Sequence, residues 1–85
     1  MNTYIGYFKH HATDSEGVLN FEAKNKVDAI KQGKDFVEDG YRGQTRLIID
    51  FGDETGVEIF NVRGHAYAWH GKFFAWGFER NHGRD

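Results

Sequence analysis

The sequence predicts an α+β fold: an antiparallel, strongly twisted β-sheet of five to six strands packed on a single α-helix, in the order β-β-α-β-β-β-β. Three observations predict it. Short runs alternate apolar and polar residues and are separated by Gly, Asn and Asp clusters, which is the period of strands. Only one stretch, 26–39, spaces its apolar residues as a helix does. The C-terminal third carries an aromatic run, 65–78, in which large rings alternate with Ala and Gly. One helix covers one face of a sheet, so the other face is left to solvent or to a partner.

Residues 2–11 open the chain as a strand, with Tyr4, Gly6 and Phe8 on one side and Ile5, Tyr7 and Lys9 on the other. The polar cluster 12–17 turns it. Residues 17–23 return antiparallel, with Leu19 and Phe21 as their apolar face.

Asn25 is placed as a helix N-cap, its side-chain oxygen accepting from an amide of the first turn. Asp28, three residues on, suits the positive end of the helix dipole. Val27, Ile30, Gly33 and Val37 fall on one stripe with Phe36 beside it. Lys31–Asp35 and Lys34–Glu38 are (i, i+4) pairs on the wet side. Gly33 in mid-helix costs about 1 kcal/mol relative to Ala, and on a buried stripe it lets the helix approach a sheet closely. Gly40 is the expected left-handed terminator.

Residues 45–51 form the next strand. Thr45, Leu47, Ile49 and Phe51 share one face, and Arg46, Ile48 and Asp50 the other. The acidic cluster 52–56 is a hairpin connection, residues 57–62 return, and Arg63-Gly64 turns the chain into the aromatic run. A hairpin turning at Gly71-Lys72 pairs Trp69 with Phe74 and Tyr67 with Trp76, and sets Ala66 and Ala68 opposite Gly77 and Ala75. One face then holds four rings and the other almost nothing. Large rings favour burial, so the four are expected mainly buried, beneath the helix or against other strands. If the helix lies on the small face instead, the rings form an exposed interaction patch.

Composition narrows the function classes. Eighty-five residues make one small domain, 1–80, with a polar tail at 81–85. The absence of cysteine removes disulfides and thiolate metal sites and fits a reducing compartment. The first ten residues lack the basic and apolar regions of a signal peptide, and no apolar run approaches the ~18 residues that span a bilayer. A soluble, cytoplasmic protein with no membrane partner is expected. The net charge of −2 is too small to argue for either a nucleic-acid binder or a strongly acidic nucleic-acid mimic. Cations before Gly40 are all lysine, whereas after it they are arginine apart from Lys72. Arginine with aromatics is the mixture enriched at protein interfaces and at phosphate-contacting surfaces.

Catalytic chemistry finds little support. His65 and His70 are five apart and diverge on a regular strand, and no zinc spacing occurs. His65, His82 and Asp50 or Asp53 can be combined into a metal site only by assumption. Asp50, Asp53 and Glu54 lack the alternating ligands of a calcium loop. Ser15, the one serine, lies in a turn. No enzyme activity, metal or cofactor is expected. A single-stranded nucleic-acid binder stacking bases on Trp69, Phe74 and Trp76 is the alternative to a protein-binding surface.

Several segments together carry a resemblance. They are the Met-Asn-Thr-Tyr start of the first strand, the polar turn 13–17, and Phe21-Glu-Ala-Lys-Asn-Lys-Val-Asp-Ala-Ile30 leading into the helix. Tyr41-Arg-Gly-Gln-Thr45 before an apolar strand completes the pattern. This layout resembles small phage-encoded anti-CRISPR proteins, particularly those acting on type I surveillance complexes. The resemblance implies a non-enzymatic inhibitor that occupies a surface of a host protein or nucleoprotein complex. Its affinity would come from a few Tyr, Trp and Arg anchors. Tyr41, Arg42, Arg46, Arg63, Tyr67, Trp69 and Arg80 are the expected contributors. A homodimer is compatible with the small size.

Overall fold

A computed structural model describes residues 1–10, 15–39, 45–72 and 79–80. The elements are β1 (Asn2–His10), β2 (Ser15–Ala23), α1 (Lys26–Glu38), β3 (Thr45–Asp50), β4 (Thr55–Val62), β5 (His65–Lys72) and a two-residue β6 (Glu79–Arg80). All neighbouring strands are antiparallel, in the spatial order β2-β1-β3-β4-β5-β6. This is the predicted α+β layout, with five long strands and one helix.

The last hairpin differs from the expectation. Gly71 and Lys72 do not turn the chain. They remain in β5 and pair with Arg80 and Glu79. The expected turn at Gly71-Lys72 is thus corrected, and Phe74 and Trp76, the expected partners of Trp69 and Tyr67, are not among the described residues. Residues 73–78 lie outside the described residues. Glycine and lysine suit a tight turn, but they also continue a strand, and local composition does not separate the two.

The helix begins as its cap dictates. Asn25 is extended (φ −163°, ψ −176°) and its side chain accepts from the Asp28 amide at 2.9 Å. The Asp28 carboxylate reaches back to accept from the Lys24 amide at 2.9 Å and from Gln32 Nε2 at 3.3 Å. The Lys24 amide bond, followed by the Gln32 contact, holds the Asp28 carboxyl below its ordinary range. The helix ends at Glu38, one residue before the expectation, with Asp39 as its C-cap. Gly40 lies outside the described residues.

The seat of the helix is Gly33. A Cβ there would lie 2.6 Å from Ile59 Cδ1 and 2.9 Å from Ile49 Cδ1. This close approach fixes the helix rotation. At about 100° per residue, Ala29 and Val37 stand about 40° to either side of Gly33, and Val27 about 120° away. Ala29 and Val37 are accordingly buried, and Val27, expected on the stripe, is 76% exposed. Beneath the helix, Tyr4, Ala23, Leu47, Ile49, Val57 and Ile59 form the core, flanked by Phe8, Leu19, Phe21, Phe51, Ala66 and Ala68.

Two connections are organised by their own side chains. In the β3–β4 connection, Asp50 Oδ1 accepts from the Gly52 amide at 2.8 Å. Asp53 Oδ1 accepts from both the amide and the hydroxyl of Thr55. Lys26 Nζ bridges to Asp53 Oδ2 at 2.9 Å while lying over the Phe51 ring. In the β4–β5 turn, Arg63 and Gly64 both have positive φ (55° and 88°), and Val62 pairs with His65. That is the two-residue turn whose twist matches the flanking strands.

Candidate functional site

Strand register decides which side chains stand opposite the helix. Val57 and Ile59 of β4 face the core, so Glu58 and Phe60 face the other way. On β5, Ala66 and Ala68 pack against the core, so Tyr67 and Trp69 project from the open face. The expectation that Tyr67 and Trp69 lie beneath the helix is thus corrected. The helix rests on the small face because Ala66 and Ala68 let it approach. Phe74 and Trp76 lie outside the described residues.

Two rows cross the open face. Direct pairing aligns Tyr7, Ile48, Glu58 and Trp69 in one row and Lys9, Arg46, Phe60 and Tyr67 in the next. Phe60 joins them: its ring centroid is 6.3 Å from Tyr67 and 6.1 Å from Trp69, tilted to both. Tyr67 is 49% exposed, and Phe60 and Trp69 are half-buried. Ring pairs in this range contribute about 0.5–1.5 kcal/mol beyond their burial.

The face has a buried floor. Ile48 is fully buried although it points away from the helix, and Glu58 is only 7% exposed. A carboxylate removed from water is costly unless it is paired. Its partner is Arg46, whose Nε lies 2.5 Å from Glu58 Oε2. Arg46 therefore has a part in the fold as well as a place on the surface. Lys9 and Arg46 pair directly, with Glu16 opposite Lys9 and Glu58 beside Arg46, and Asp50 and Glu22 lie farther along the same face, so its charge is mixed.

Of the residues expected to bind a partner, Arg46, Tyr67 and Trp69 come together on this face. Arg63 occupies the β4–β5 turn at one end of it, and Arg80 pairs through its backbone with Gly71 at the other end of β5. Tyr41 and Arg42 lie outside the described residues. Sequence reasoning passed over Phe60, Glu58 and Tyr7. The signal for the first two was present in the alternation of Val57 and Ile59.

The combination of His65 with Asp50 or Asp53 as metal ligands does not form, because His65 and Asp50 pair with opposite ends of β4. Among the described residues, no three His, Asp or Glu side chains gather as a metal-holding group. No described helix is long and apolar enough to cross a membrane. On the helix side, an apolar cleft of about 140 Å³ opens between α1 and β2, lined by Leu19, Phe21, Gln32, Gly33, Phe36 and Leu47. Comparison of the chain with protein-family models, curated proteins and solved structures finds no match.

Proposed function

We propose that this chain is a small non-enzymatic binding protein that occupies a surface of a host protein or nucleoprotein complex through the open face of its sheet. The supporting observation is the position of Tyr67, half-exposed beside Phe60 and Trp69 on the face the helix leaves uncovered. Aromatic anchors with a neighbouring arginine, set on a rigid strand pair, are the composition of binding hot spots. Their rigidity matters, because little side-chain entropy is lost on binding. An inhibitor of the anti-CRISPR kind, directed at a type I surveillance complex, is the reading that agrees with the chain's layout.

The mixed charge of the face favours a protein surface over a nucleic-acid strand. A strand-binding groove tracks phosphates with cations, whereas here Glu16 stands opposite Lys9 and Glu58 pairs with Arg46. The experiment is a capture from lysate of cells carrying such a complex, with wild type and Tyr67→Ser compared, alongside titration of tryptophan fluorescence with oligonucleotides. A stoichiometric protein partner lost with Tyr67→Ser is the expected result. Salt-sensitive quenching by single strands without a protein partner overturns the reading in favour of nucleic acid. Neither signal overturns both.

A further inference from the structure

The two sides of the sheet are protected unequally. β2 forms one edge and carries the exposed charges of Glu16 and Glu22. Towards the other edge, and among the described residues, the outer side of β5 is paired only at Gly71 and Lys72, by the two residues of β6. The rest of that strand, His65-Ala-Tyr-Ala-Trp-His70, contains no acid, lysine, arginine or proline. It keeps unbroken register with β4, so no bulge turns it aside. An uncharged six-residue strand of this composition pairs readily with another chain.

The register shows which amides are at stake. Val62 and His65 flank a two-residue turn, so the backbone of His65 is directed at β4, and those of Tyr67, Trp69 and Gly71 with it. The backbones of Ala66, Ala68, His70 and Lys72 point the other way. β6 takes up Lys72. The Ala66 amide donates instead to Glu38 Oε2 of the helix, at 3.1 Å. A carboxylate thus occupies the first outward donor of the strand, where an added strand would have to place a carbonyl.

We infer that Glu38 is an edge guard, which closes β5 against pairing with another chain. A charged acceptor holds that amide more strongly than the neutral carbonyl of an incoming strand. It also sets a negative charge beside a stretch that has none of its own, which is how exposed edges are kept from pairing. The guard acts whatever the open face binds, so it stands independently of the function proposed above.

The test is self-association at micromolar protein, read by sedimentation velocity, with circular dichroism verifying the fold of each variant. Glu38→Ala is expected to self-associate about tenfold more tightly than wild type or better. Glu38→Gln, which keeps an accepting oxygen, is expected to behave as wild type. Asp35→Ala removes an equal charge from the same stretch of helix and should also leave association unchanged. His70→Pro adds a check on the surface used. His70 is exposed and its amide points outward, so proline there blocks the edge without removing a bond to β4. Combined with Glu38→Ala, it should return association to the wild-type level. A Glu38→Ala chain that associates no more than wild type overturns the proposal, as does an equal effect of Asp35→Ala. So does a Glu38→Ala assembly that survives His70→Pro, because it then forms through another surface.

Discussion

The Glu38 carboxylate accepts a hydrogen bond from the backbone amide of Ala66 at 3.1 Å. This contact fastens the last turn of α1 to β5 and lays the helix across the alanine side of that strand. Ala66 and Ala68 let the helix approach there, so Tyr67 and Trp69 are displayed on the opposite side. Alternation along one strand converts a helix-packing preference into a surface.

Neighbouring residues of β5 should therefore respond unequally to substitution. Ala68→Leu forces three extra carbons beneath the helix, and overpacking of this kind costs about 1–3 kcal/mol. Tyr67→Ser removes a half-exposed ring and should cost less, about 0.5–1 kcal/mol. Urea unfolding of the two variants measures the difference. Equal losses would contradict the placement of the helix.

Gly33 sets a second limit. Alanine is the better helix former by about 1 kcal/mol, but its Cβ would fall 2.6 Å from Ile59 Cδ1 and 2.9 Å from Ile49 Cδ1. Both isoleucines are fully buried and have little room to yield. Gly33→Ala is expected to lower stability by about 1–2 kcal/mol, overpacking outweighing propensity. A stabilised variant in urea titration would show that the core can relax.

Much of this architecture was legible in the residues. The Asn25 cap, the buried glycine and the faces of β3 all follow from local rules that act over three or four positions. The helix rotation was not legible, because it depends on which small residue meets the sheet. Gly33 wins that contact, and Val27 is turned outward as a result. The choice between the two faces of β5 was posed by the sequence but depends on how α1 packs on the alanine side, where Glu38 meets Ala66 28 positions away. Phe60 and Glu58 were assignable from the alternation of β4, but their union with Tyr67, Trp69 and Arg46 depends on the register of three strands.

The β4–β5 turn holds a non-glycine residue in left-handed backbone. Arg63 at φ 55° carries a cost that Asn, which visits this region more readily, reduces. Arg63→Asn is expected to raise stability by a few tenths to about 1 kcal/mol, since Asn-Gly is the preferred pair in such turns. Gly64→Ala, at φ 88°, should lower it by about 1 kcal/mol. Thermal unfolding of both variants checks the pair, and the opposite order would rule out this turn geometry.

Acid should loosen the β3–β4 connection. Hydrogen bonds from Thr55 and then from Lys26 pull the Asp53 carboxyl down from 3.8 to about 2. A carboxyl lowered in the folded state binds its proton more readily when unfolded, so its contribution is complete above the ordinary value. It is lost as pH falls from about 4 toward about 2. Asp28, also lowered, acts in the same direction at the helix start. The melting temperature of Asp53→Asn is expected to fall less steeply than that of wild type across this window. Identical slopes would remove Asp53 from the acid response.

Arg46 and Glu58 connect the fold to the proposed binding face. Glu58 is nearly buried, and Arg46 retains about a third of its side chain in water (30%). The pair is therefore screened on one side only, and its value lies between that of a surface ion pair and a buried one. Arg46→Ala removes this ion pair from a carboxylate set among Ile48, Phe60 and Trp69, at an expected cost of about 1–3 kcal/mol. Glu58→Gln keeps a polar group of the same shape and should cost less. In a double-mutant cycle with Glu58→Ala and Arg46→Ala, the expected coupling is about 1 kcal/mol or more. Absence of coupling would mean that the two groups do not act together. Arg46 would then be a surface anchor alone, and its substitution should weaken partner binding without affecting unfolding.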